Sequence, residues 1–147
     1  MNNSWKAVVL LLVSVSFLLS FGCKETEPPA VHKAHAEPDA IARTEFTDRL
    51  ENFFEYEPLH AGKPSQVRIH LTDLADGSPV EQAEVSLIVR RRGAGETVVQ
   101  TKAKVGKVTG IYVAELSIPQ AGEYGIEFHI KNAKLDERLP LSDFKVE

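Results

Sequence analysis

The chemistry this chain can offer rests on five histidines, one cysteine and a run of three arginines. His32 and His35 stand as H-x-x-H in a stretch of Ala, Pro and Glu, and imidazole nitrogen suits zinc, nickel or copper(II). Two such ligands need a fixed third ligand and groups that orient them, and the surrounding residues offer neither. The competing reading is therefore two polar residues in a spacer. Met1 is the only methionine and Cys23 the only thiol, so soft ligands for copper(I) are scarce. His60 falls in a turn-forming stretch. His70 and His129 fall on the polar faces of two alternating segments, which a sandwich would place in opposite sheets, so no joint site is expected from them. Nucleophilic catalysis lacks its parts: there is no G-x-S-x-G elbow and no serine with an identifiable base and orienter. Gly93-Ala94-Gly95 joins two strand-like segments instead of opening a helix, so it is no phosphate loop. The chain reads as a non-enzyme, with no catalytic residue and no cofactor. Arg90-Arg91-Arg92, followed by Lys102, Lys104 and Lys107, reads as a charged edge that discourages strand-to-strand association. The sharper alternative is a docking patch for an acidic partner or a lipid headgroup.

Cys23 has a more specific context. Lys6 supplies a positive n-region, and Ala7 to Phe21 form an apolar run of roughly 15 residues, within the range of a signal peptide. The run is short for a transmembrane helix, which takes about 20 residues. The ending Leu19-Ser20-Phe21-Gly22-Cys23 resembles the lipobox of bacterial lipoproteins. That resemblance implies a signal peptide over residues 1–22, cleavage before Cys23 and diacylation of its thiol. Ser20 stands where the lipobox usually has an aliphatic residue, and Phe21 is bulky for its position. Two alternatives stay open: secretory cleavage after Ala34-His35-Ala36, and an uncleaved membrane anchor. All three place the remainder outside the cytoplasm. The lipobox reading makes it a periplasmic protein attached to a membrane through its N-terminal lipid. Lys24 after the cysteine, in place of the aspartate of inner-membrane retention, favours the outer membrane.

Residues 23–43 read as a lipidated tether. Their Ala, Pro and Glu content and lack of apolar periodicity cannot offset the entropy of ordering. Twenty such residues reach roughly 60 Å at about 3.1 Å each. The chain carries a net charge of −4, and loss of Lys6 with the signal makes it more negative. That balance argues against nucleic acid, whose binding needs a concentrated basic footprint, and against a general polybasic attraction to lipid.

Residues 44–147 must then supply one domain, large enough for a core without disulfides. Strands are expected over Phe46–Arg49, Leu50–Tyr56, Gln66–Leu74, Ala83–Arg91, Thr97–Val105, Ile111–Ile118, Tyr124–Lys131 and Leu139–Val146. Val67, Ile69 and Leu71 alternate with Arg68, His70 and Thr72; Val85, Leu87 and Val89 oppose Ser86 and Arg90; Tyr124, Ile126, Phe128 and Ile130 oppose Glu127, His129 and Lys131. One apolar and one polar face per strand suits two antiparallel sheets packed face to face. Gly and Pro punctuation at Pro58–Pro64, Asp76–Pro79, Gly93–Gly95 and Pro119–Gly122 has the spacing of a sandwich. Tyr124, opening a late strand after Ala121-Gly122-Glu123, suits a tyrosine corner. The expected fold is an all-β, immunoglobulin-like antiparallel sandwich of about seven to eight strands, with no cysteine pair in it.

The blocks Thr47-Asp48-Arg49-Leu50-Glu51-Asn52-Phe53-Phe54-Glu55-Tyr56-Glu57-Pro58-Leu59, Gly62-Lys63-Pro64-Ser65, His70-Leu71-Thr72-Asp73-Leu74 and Pro79-Val80 carry a further resemblance. So do Gly110-Ile111-Tyr112 and Ala121-Gly122-Glu123-Tyr124. Together they resemble the N-terminal Ig-like module of periplasmic adaptor (membrane fusion) subunits of RND-type heavy-metal efflux systems, over most of residues 44–147. Those adaptors add a helical hairpin, a lipoyl-like domain and a β-barrel, none of which follows here. The resemblance implies a free-standing, tethered binding module, accessory to an efflux adaptor or pump, with His70, Thr72 and Asp73 as its interaction surface. Two other functions compete: a metal-handling lipoprotein using His32, His35 and nearby carboxylates, and a passive structural protein of the envelope.

Overall fold

The computed structural model describes residues 39–147. Cys23, His32 and His35 lie outside the described residues. Nine strands run in chain order: β1 Ile41–Phe46, β2 Leu50–Tyr56, β3 Pro64–Asp73, β4 Glu84–Arg91, β5 Thr97–Lys102, β6 Lys104–Val105, β7 Ile111–Ser117, β8 Gly122–Lys131 and β9 Asp136–Val146. They form a five-stranded sheet in the order β1-β2-β3-β7-β6 and a four-stranded sheet in the order β5-β4-β8-β9. Every pairing between strands is antiparallel. The architecture is the all-β, Ig-like sandwich that the alternating pattern predicts.

The alternation translates directly into packing. Val67, Ile69 and Leu71 of β3, Val85, Leu87 and Val89 of β4, and Tyr124, Ile126, Phe128 and Ile130 of β8 are all buried in one core. β2 adds Leu50 and Phe54, and Phe54 packs on Phe128 with ring centroids 4.8 Å apart. Side chains of successive strand residues leave opposite faces of a sheet, so each of these sets commits its polar neighbours to the outside. Two tyrosines lock loops to this core. Tyr124 Oη donates to the Gln120 carbonyl at 2.9 Å, the tyrosine corner expected. Tyr112 Oη donates to the Val80 carbonyl at 2.8 Å and accepts from the Ala83 amide at 3.0 Å, a latch the sequence does not announce.

Most strand ends fall within two residues of the sequence expectation, and three expectations depart further. Of Phe46–Arg49 only Phe46 is in a strand, as the last residue of β1, which begins earlier, at Ile41; Thr47–Arg49 form the connection to β2, where Thr47 Oγ1 accepts the amides of Arg49 and Leu50. Residues 41–43, placed in the tether by composition, are therefore part of β1. Thr97–Val105 is two strands, because the chain changes sheets at Ala103, whose amide bonds the Val85 carbonyl. The last strand starts at Asp136, three residues before the apolar signal at Leu139.

Candidate functional site

β3 lies at the centre of the five-stranded sheet, and its outward residues are Arg68, His70 and Thr72. The register sets a transverse row in which Thr44, Phe53, His70 and Ile111 stand side by side on β1, β2, β3 and β7. Cross-strand neighbours at this spacing interact directly. The Phe53 and His70 rings meet edge to face, with centroids 5.2 Å apart at 72°. Next along the strands, Glu55 is paired with Arg68, whose Nη1 lies 3.6 Å from Glu55 Oε2. The same carboxylate oxygen is 4.0 Å from His70 Nε2, beyond hydrogen-bond reach, and that nitrogen is buried with no hydrogen-bond partner. Phe46, on the edge strand, stands 59% exposed opposite Glu51. The outer face thus presents aromatic and aliphatic surface around one histidine.

Of the three residues singled out for interaction, this face holds His70 and Thr72. Asp73 belongs elsewhere. Its Oδ1 accepts the Ala75 amide, and its side chain helps line a cleft of about 540 Å³ between the loop after β3 and the loop after β8. Strand alternation is the reason: residue 73 has the inward parity of Leu71 and, at the end of β3, turns into the open end of the sandwich. Gln82, at φ 51°, lines the same cleft.

The outer face of the four-stranded sheet is of another kind. Glu127 is shared by Arg90 at 3.2 Å and Arg138 at 2.6 Å. Asp136 joins Lys131 at 2.7 Å and His129 at 2.8 Å. Hydrogen bonds from Lys131 and then His129 pull the Asp136 carboxyl down to a pKa of about 2. Arg92 pairs with Glu123 and Lys102 with Glu84. The basic run of the sequence is thus spent largely on partners within its own domain. His70 and His129 lie in different sheets. Among the described residues no group of three or more His, Cys, Asp and Glu is placed to hold a metal ion.

Two functional-looking features had no sequence signal. Arg43 of β1 points inward, donating to Glu45 at 2.6 Å and to Asp143 of β9 at 2.9 Å. Its guanidinium lies 5.8 Å from the Phe54 ring centroid and 5.2 Å from that of Phe144. Burial opposes its charge, but the bonds to Glu45 and Asp143 outweigh that and raise its pKa further. Tyr56 beside it is raised by burial, partly offset by Arg43. Asn52 is the other. It is wholly buried in β2 between Leu50 and Phe54, with neither amide atom hydrogen-bonded.

The ZirS C-terminal domain, a solved structure, is 13% identical, covering 100% of this chain and 87% of that one, with a TM-score of 0.42. No curated protein matches the chain. The family model for YtkA-like proteins matches residues 45–129, from the end of β1 almost to the end of β8, and takes in Phe53, His70 and Ile111. Since that match covers more than half of the chain, the protein belongs to the YtkA-like family.

Proposed function

We propose that this protein is a non-catalytic binding module of the periplasm, held to a membrane by lipid on Cys23. Through the outer face of its five-stranded sheet it docks on the adaptor subunit of an RND-type efflux assembly. The observation that supports this reading is the contrast between the two outer faces. On the four-stranded sheet the charges are matched within the domain, whereas the other sheet presents Phe46, Phe53 and Ile111 around His70 and Thr72. Aromatic residues beside a partly desolvated polar group are the usual anchors of a protein interface. The efflux partner comes from the resemblance of the His70–Leu74 and Thr47–Leu59 blocks to the adaptor modules.

Photo-crosslinking in living cells tests it. A photoreactive side chain at Thr72 is expected to capture an efflux adaptor, and one at Arg138, on the opposite face, is not. Equal capture from both faces, or capture of no efflux component from Thr72, would overturn the reading.

A further inference from the structure

The fold divides the basic run of the sequence into engaged and unengaged parts. Arg90 is held by Glu127, Arg91 by the Gln120 carboxamide, Arg92 by Glu123 and Lys102 by Glu84. Lys104 and Lys107 enter no ion pair among the described residues. They belong to the tip between β6 and β7, Lys104-Val105-Gly106-Lys107-Val108. Val105 there is 68% and Val108 61% exposed, more than any other large apolar side chain among the described residues. From Thr97 to Ala114 the chain holds three lysines and no acid, although its net charge is −4. Backbone bonds pin the tip in place. The Gly106 amide donates to the Ile111 carbonyl at 2.7 Å, the Ile111 amide to the Val108 carbonyl at 3.1 Å, and the Leu71 amide to the Gly110 carbonyl at 2.9 Å. A Cβ at Gly106 would lie 2.9 Å from the Ile111 carbonyl oxygen, and one at Gly110, where φ is 78°, would lie 2.6 Å from Pro79 Cβ. Two aliphatic side chains are thus held in water on a fixed loop, and folding of the domain does nothing to cover them.

We infer that this tip is a membrane-contact site, and that what it takes is the surface of a bilayer containing anionic phospholipid. An aliphatic tip flanked by unpaired ammonium groups is complementary to a surface that is anionic outside and apolar just beneath. Val105 and Val108 enter the boundary between headgroups and acyl chains, while Lys104 and Lys107 reach up along their apolar stems to the phosphates. Two lysines attract an anionic surface only weakly, and the rest of the domain is acidic. Attachment to the same bilayer supplies what they lack, because a tethered tip meets that surface at high effective concentration. The chain between Cys23 and Asp39 spans up to about 50 Å at about 3.1 Å per residue. It enters the domain at β1, which stands at the far edge of the five-stranded sheet from β6. Four strand spacings separate those edges, roughly 19 Å, so the anchor leaves the tip free to reach the bilayer. The inference rests on the lipid anchor proposed above and not on contact with an adaptor.

Tryptophan fluorescence of the full chain, purified from membranes and reconstituted in vesicles, tests the contact. Trp5 is the only tryptophan and falls in the expected signal peptide, so the unaltered chain sets the background. Val108→Trp reports on the tip. Lys63→Trp, just before β3 at the opposite end of the sandwich, reports on the remainder of the domain. The probe vesicles are phosphatidylcholine with about one-third phosphatidylglycerol, brominated on the acyl chains so that a buried indole is quenched. In them Val108→Trp is expected to lose about half of its emission and Lys63→Trp less than about a tenth. In brominated phosphatidylcholine alone, Val108→Trp is expected to stay as bright as Lys63→Trp. Adding Lys104→Glu and Lys107→Glu, or raising the salt to about 0.5 M, is expected to abolish the quenching in anionic vesicles. A Val108→Trp chain that floats with anionic vesicles, keeps the wild-type circular dichroism and is not quenched overturns the proposal while leaving the lipid anchor standing. A chain that does not float with vesicles overturns both. Equal quenching in neutral vesicles, or stronger quenching of Lys63→Trp than of Val108→Trp, overturns the tip contact alone.

Discussion

Asn52 is the residue at which this core departs most from its own rule. A buried amide without a partner forfeits the hydrogen bonds it had in water, at a cost of about 1–3 kcal/mol. Leucine has nearly the same volume and no such groups. Asn52→Leu is therefore expected to raise the melting temperature by several degrees, since about 1 kcal/mol shifts a domain of this size by roughly 4–8 °C. A fall in scanning calorimetry would mean that the carboxamide is bonded in solution, for instance to internal water. Asp136 carries part of the pH dependence. Its folded pKa of about 2 lies below the ordinary 3.8, so the carboxylate form is favoured by folding. Its contribution is fully present above about pH 4 and is lost as the pH falls through about 2. Asp136→Asn is expected to flatten the fall in stability between pH 4 and 2, measured by urea unfolding. An unchanged acid limb would show that the pair with Lys131 and His129 adds nothing in solution.

At the scale of elements, β1 is held differently from the strands it joins. It contributes no residue to the buried core and is secured by its ladder with β2 and by Arg43. That side chain is 21% exposed, spans to Asp143 on β9 and lies over Phe54 and Phe144, so it closes one open side of the sandwich. Arg43→Ala removes two ion pairs and two cation–π contacts, with an expected cost of about 1–2 kcal/mol. Hydrogen exchange is expected to speed up in Ile41–Phe46 while β3 and β8 stay protected. Uniform acceleration across the domain would show instead that β1 unfolds only with the whole. The element scale also explains why residues 41–43 read as tether: a strand whose inward positions are Arg43 and Glu45 shows no apolar alternation. What its inward charge meets lies 100 positions away, at Asp143.

For the whole molecule, most of the strand set and the core were legible along the chain. The reason is that a face buried on one side leaves a period-two trace, as at Val67, Ile69 and Leu71. The tyrosine corner was legible as well, because Tyr124 bonds only four residues back. His70 and Thr72 could be assigned to an outer face by the same alternation. What alternation cannot encode is which strands become neighbours. Only the tertiary arrangement set Phe53 and Ile111 beside His70, whereas the parity that turns Asp73 away from that face was already present in the alternation. The tertiary arrangement also moved Lys104–Val105 into the sheet opposite Thr97–Lys102. Sequence periodicity is a local consequence of burial, whereas strand order and edge exposure are decided by long-range pairing, and that pairing appears only once the chain is folded.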